Sequence, residues 1–152
     1  MQKLKTEISI QASAQDVWKV LMDFENYPNW NPFIKSISGE KHVGCKLKVN
    51  IQPEGMSEQQ FLPNVLKNEE NREFRWLGKF LVKGLFDGEH YFKLREENGK
   101  VIFTHGENFS GLLVGILLKM IGAKTQAGFE QMNQALKEKV EKCSVADNSY
   151  HA

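Results

Sequence analysis

The chain is short of several things, and each shortage removes a class of protein. Cysteine is scarce: Cys45 and Cys143 are the only 2 in 152 residues. They lie far apart, with neither a CxxC spacing nor a histidine at zinc-ligand intervals, so the sequence predicts idle thiols, no disulfide and no metal site. An excess of one charge is also missing, since 20 basic residues stand against 19 acidic ones. No basic block is interleaved with aromatics, which argues against a nucleic-acid partner. No apolar run approaches the roughly 20 residues of a membrane span, and MQKLKTEISI alternates too regularly for a signal-peptide core. The expectations are no stable membrane insertion and, by default, a cytoplasmic location. No internal repeat or linker interrupts residues 3–142. A chain of this length buries roughly 70% of its unfolded surface around one core. The reading is one domain over residues 1–142 and a flexible tail over 143–152, where SVADNSYHA has no apolar periodicity.

What the chain does have is concentrated first in residues 12–34, ASAQDVWKVLMDFENYPNWNPFI. Ser13 is an N-cap residue with Asp16 three positions on, and Val17, Trp18, Val20, Leu21 and Phe24 recur at helical spacing, which predicts a short helix with one buried face. Pro28 and Pro32 stop it. Tyr27, Trp30 and Phe33 then crowd into an aromatic turn, and Glu25 and Asn31 are expected at the surface. This capped helix followed by YPNWNPFI resembles the helix-grip superfamily of START and Bet v 1-like (SRPBCC) domains, in its bacterial polyketide-cyclase-like branch, from about Leu4 to about Lys142. The resemblance implies an α+β fold: a strongly curved antiparallel sheet of about seven strands, two short helices after the first strand, and a long C-terminal helix packed across the concave face. It further implies that Trp30 and Phe33 help line the mouth of a cavity.

The middle of the chain alternates with period two. Leu4, Thr6, Ile8 and Ile10, and again Leu47, Val49 and Ile51, read as strands with one face inward. Asn68–Asn71 reads as a polar loop that would set Val65 opposite Phe74 and Pro63 opposite Trp76, with Phe74, Trp76, Gly78 and Phe80 sharing the inner face. Phe86, Gly88, His90, Phe92 and Leu94 form another such set. Asn98-Gly99 is the strongest short-range signal for a two-residue type I′ hairpin. Counting back from that turn puts Leu94 opposite Phe103, Phe92 opposite His105 and His90 opposite Glu107, all pointing inward. Tyr91, Lys93, Arg95, Ile102, Thr104 and Asn108 fall on the outer face, expected in solvent.

The last element, roughly residues 111–142, is expected to be a helix with apolar positions at Leu113, Leu117, Met120, Ile121, Phe129, Met132, Leu136 and Val140. Gly111, Gly115, Gly122 and Gly128 weaken it, which fits either a bend near its start or close packing on the sheet.

The inner face therefore carries Phe61, Phe74, Trp76, Phe86, Phe92, Phe103 and Phe109 around His90, His105 and Glu107. Three ionisable groups on one apolar face make better sense beside a ligand's polar end than in a dry core. The candidate ligand-binding set is these ten residues with Trp30, Phe33, Leu113, Leu117 and Met120. For His90 and Glu107 three readings stay open: a structural cross-strand pair, a polar anchor, or a weak catalytic pair, with no nucleophile or oxyanion constellation in view. The resulting function is non-catalytic binding or carriage of a small hydrophobic molecule with one polar end, by a monomer or homodimer without cofactor. The family resemblance leaves two alternatives: a polyketide cyclase or dehydratase, and a co-chaperone-like or ubiquinone-associated interaction module.

Overall fold

The computed structural model describes residues 1–80 and 82–150. Strand β1 (Gln2–Ile10) leads into helix α1 (Ala14–Met22), a 3-10 turn (Phe24–Asn26) and helix α2 (Tyr27–Trp30). Seven strands follow: β2 (Ile34–Gly39), β3 (Leu47–Ile51), β4 (Gln59–Phe61), β5 (Asn64–Glu69), β6 (Glu73–Phe80), β7 (Phe86–Glu97) and β8 (Lys100–Ser110). Helix α3 (Val114–Tyr150) closes the chain. The Ser13 cap forms as its sequence suggests, its hydroxyl accepting from the Asp16 backbone N–H at 3.1 Å.

The strands make a five-stranded antiparallel sheet in the order β1-β8-β7-β6-β5 and a three-stranded one in the order β2-β3-β4. A bridge between Lys46 and Asn64 and the bond from Leu47 N–H to the Pro63 carbonyl (2.8 Å) stitch them together. The second half of α3 packs into the grip through Phe129, Met132, Leu136 and Val140, all buried against β1, β8 and α1. This is the helix-grip architecture. It has eight strands where about seven were expected, and the three-residue β4 is too short for alternation to reveal.

The β7–β8 hairpin has the register that Asn98-Gly99 predicts. Both turn residues take positive φ, 53° and 77°, and Leu94 pairs with Phe103, Phe92 with His105, and His90 with Glu107. The β5–β6 register differs. Val65 lies opposite Trp76 and Asn68 opposite Phe74, with a bulge between Val65 and Lys67. The loop is shorter than its polarity suggests because Asn71 adopts φ 61°, the left-handed conformation that asparagine tolerates, and so closes the turn early. The inner face of β6 survives this shift, since its pairing with β7 fixes which side chains point inward.

Four other expectations are corrected. Helix α3 begins at Val114, because Leu112 and Leu113 instead donate to the Gly84 and Leu85 carbonyls (3.1 and 2.9 Å). At its other end it continues past Lys142 to Tyr150, where a loosely ordered tail was expected. Helical hydrogen bonding propagates from a packed segment without needing a buried face, and the side chains beyond Ser144 are exposed. Asn31 is buried rather than exposed: its Oδ1 caps the start of β2 by accepting from the Phe33 and Ile34 N–H groups at 3.0 and 2.8 Å. On the outer face, Tyr91 and Thr104 are buried too. The Tyr91 ring fills the slot left by Gly106, where a Cβ would sit 2.4 Å from it. Among the described residues no helix is long and apolar enough to cross a membrane.

Candidate functional site

Between the inner faces of β3, β6, β7 and β8 and the first half of α3 lies a partly enclosed cavity of about 120 Å³. Two glycines make the room. Gly78 and Gly88 face each other across β6 and β7, so neither strand fills the wall between them. At Gly88 a Cβ would stand 2.2 Å from Glu107 Oε1, so the carboxyl occupies space that only glycine leaves. The walls are mostly apolar; His90 and Glu107 form a buried polar end, and Gln59, Lys79 and Thr125 are the other polar lining residues.

Of the fifteen expected site residues, Phe33, Phe61, Trp76, Phe86, His90, Glu107 and Phe109 line this cavity. Phe74, Phe92, Phe103 and His105 do not; they are sealed in the core beneath it. Trp30 is half-buried against Tyr27, with ring centroids 5.2 Å apart, and stands away from the cavity. Leu117 lies one turn before the lining residues Ile121 and Thr125 on the same helical stripe, and Leu113 precedes the helix; neither lines the cavity. Met120 turns outward and is 71% exposed, because one residue along a helix rotates a side chain by about 100°.

Among the lining residues that sequence reasoning missed are Val49 and Ile51 of β3, Pro53 and Met56 of the loop after it, and Gln59 of β4. Their alternation was visible, but nothing in it said which sheet would fold over which. The paired glycines were the available signal, since two glycines on one inward face mark a place where backbone rather than side chain forms the wall.

The polar end is one continuous chain of hydrogen bonds. Glu107 Oε2 lies 3.4 Å from His90 Nδ1, and His90 Nε2 lies 2.8 Å from His105 Nε2. His105 Nδ1 lies 3.1 Å from Asn133 Oδ1, and the same ring also meets the backbone carbonyl of Phe129. Asn133 Nδ2 donates to Thr6 Oγ1 (2.8 Å), which donates in turn to the His105 carbonyl (3.1 Å). The far end thus closes on itself in the core.

Aromatic rings strip water from both imidazoles. Trp76 stacks flat on His90, and Phe129 stacks on His105 with centroids 4.0 Å apart. Burial consequently pushes His90 down to about 3. It holds His105 well below the usual histidine range, helped by the neighbouring His90 and opposed by Asn133 and the Phe129 carbonyl. The same desolvation raises the Glu107 carboxyl to about 8. Glu107 is therefore a neutral acid at pH 7.

Thr125 is a hydroxyl at the cavity wall, but its Oγ1 donates to the Ile121 carbonyl at 3.0 Å. Cys45 is half-buried and Cys143 exposed; neither lines the cavity.

The fold is shared with solved structures of low sequence identity. The Zhui aromatase/cyclase from Streptomyces sp. R1128 superposes with a TM-score of 0.75 at 12% identity, over 93% of this chain and 94% of that one. A START superfamily protein from Mycobacterium smegmatis gives 0.70 at 21% identity, over 93% and 98%. Ara h 8.0201 gives 0.64 at 18% identity, over 93% and 98%. No curated protein sequence matches significantly. The model of the family described as polyketide cyclase / dehydrase and lipid transport matches residues 1–141, and the chain belongs to that family.

Proposed function

We propose that the protein binds or carries a small hydrophobic molecule with one polar end, held in the cavity between sheet and α3, without altering it chemically. The observation that carries this reading is the one-sided polarity of the cavity. Apolar walls surround a buried Glu107–His90 pair whose inner partners are all satisfied, while Glu107 keeps 18% of its side chain exposed on the cavity side. A filled core at normal density would leave neither the space nor an accessible carboxyl. The volume, about 120 Å³, is close to the roughly 150 Å³ of an engineered apolar cavity that takes benzene, and below the usual ligand-pocket range of about 300 Å³ upward. One ring fits inside, and anything longer extends beyond the cavity.

The family's name and the aromatase/cyclase among the fold's relatives keep a cyclase or dehydratase in play. Against it, the hydrogen-bond chain ends inside the core at Asn133 and Thr6, so a proton taken from a substrate has no onward path. Native mass spectrometry of protein purified from its own host, together with saturable uptake of an apolar fluorescent probe, tests the binding reading. A folded, cooperatively melting sample that takes up no aromatic, sterol-like or fatty-acid probe would end it.

A further inference from the structure

The direction of the hydrogen bonds behind the cavity says which kind of polar end the ligand carries. At the far end His105 Nδ1 faces Asn133 Oδ1 at 3.1 Å, and the amide is held that way round because its Nδ2 donates to Thr6 Oγ1, which itself donates to the His105 carbonyl. An amide oxygen can only accept, so His105 Nδ1 carries the proton and Nε2 of the neutral ring is left as an acceptor. His90 must then donate from its Nε2 across the 2.8 Å contact. That leaves His90 Nδ1 as a lone pair facing Glu107 Oε2 at 3.4 Å. Two lone pairs do not bond, so one proton lies between these atoms.

Whether that proton rests on the carboxyl or on the imidazole, the consequence for the cavity is the same. Glu107 Oε1 is a bare oxygen that accepts and cannot donate. Among the described residues no side chain donates to it; its close neighbour is the hydrogen-only face of Gly88.

We propose that Glu107 Oε1 is a fixed hydrogen-bond acceptor at the cavity floor, and that the ligand is a neutral hydroxyl-bearing molecule, an alcohol or phenol, chosen over an aldehyde or ketone of the same shape. This rests on the ligand-binding reading above and adds the class of ligand to it. An O–H donates to Oε1 and extends the chain of bonds by one member, each polarising the next. A carbonyl in the same place sets oxygen against oxygen, with both desolvated and neither bonded. A carboxylate adds a charge to that repulsion. His90 and His105 act here as positioning residues, because they hold the acceptor's polarity without touching the ligand's reacting end.

The experiment compares three single-ring probes of similar size, p-cresol, benzaldehyde and toluene, titrated into the full chain by calorimetry and followed by amide chemical shifts. The expected result is that p-cresol binds at least about tenfold more tightly than benzaldehyde, the size of one net hydrogen bond made against one lost. Glu107→Gln keeps that order, because its amide N–H replaces the acid proton toward His90 and its carbonyl still faces the cavity. Glu107→Met abolishes the preference. Benzaldehyde binding as well as p-cresol to the unaltered protein, or a reversed order in Glu107→Gln, overturns the proposal. Toluene binding with p-cresol no tighter sinks the acceptor but spares the cavity. If none of the three binds, the ligand-binding reading falls and this one with it.

Discussion

His90 lies flat against Trp76, the two ring centroids 4.6 Å apart and the planes within 4° of parallel. The indole is 3% exposed and the imidazole 1%, so each shields the other, and the stack fixes the plane in which His90 meets both Glu107 and His105. Trp76→Ala removes a buried aromatic and the shield together. The expected cost is about 3–5 kcal/mol of unfolding free energy, read from denaturant midpoints. His90 then gains water, and its protonation moves back up toward the ordinary histidine range, followed by imidazole NMR. A loss below about 1 kcal/mol would mean that the stack supports nothing.

The buried acid and imidazoles give stability a maximum in pH. Glu107 is raised from 4.5 to about 8, so the folded state keeps a proton that the unfolded chain gives up, and stability falls as pH rises through that window. His90 is lowered from 6.5 to about 3 and His105 is lowered too, so their contribution is present above 6.5 and is lost as pH falls. Two histidines outweigh one carboxyl between 4.5 and 6.5, which places the maximum near pH 6.5. From there to pH 8 the loss is at most about 2 kcal/mol, at about 1.4 kcal/mol per unit. Thermal melts across pH 4–9 check this. Glu107→Gln should flatten the alkaline side and steepen the loss between pH 6.5 and 4.5, where the carboxyl no longer offsets the histidines.

How much of this was legible in the sequence depended on how local the signal was. The Asn98-Gly99 turn is local, so the opposition of His90 and Glu107 followed by counting. The β5–β6 register needed to know that Asn71 would turn left-handed and that a bulge would follow Val65, and neither is marked by polarity. Phe74, Phe92 and Phe103 alternate just as Trp76 and Phe109 do, yet they sit in packed core while the others line the cavity. Alternation separates faces but not positions along a curved sheet. The contribution of β3 and of the Pro53–Met56 loop depended on one sheet folding over the other, which no single segment encodes.

Glycines distinguish cavity from core by what a methyl group would meet. At Gly78 an added Cβ finds only the Gly88 carbonyl and Pro63 at 3.8 and 3.9 Å, ordinary contact distances. Gly78→Ala should leave stability within about 0.5 kcal/mol and intrude on the cavity, weakening uptake of a single-ring probe. At Gly128 the Cβ would lie 2.3 Å from the buried Phe33 ring, which has no free direction to yield. Gly128→Ala should therefore cost about 1–3 kcal/mol through overpacking, despite alanine's better helix propensity. Melting temperatures of the pair decide it, and a stabilised Gly128→Ala variant would refute the close approach of α3 to the aromatic turn.

The inner end of the hydrogen-bond chain can be cut without touching the cavity. Asn133 is 2% exposed; it accepts from His105 and donates to Thr6. Asn133→Leu removes both bonds and leaves buried polar groups partly unpaired, an expected loss of about 1–3 kcal/mol. The Phe129 carbonyl remains, so His105 should still carry its proton on Nδ1 and His90 on Nε2, as read by nitrogen-15 shifts of labelled histidines. Stability then falls while the preference for a hydroxyl over a carbonyl ligand holds. If the variant instead moves the His105 proton to Nε2, the carbonyl alone does not hold the direction of the chain. Asn133 would then be the residue that orients it, and the polarity at Glu107 should change with it.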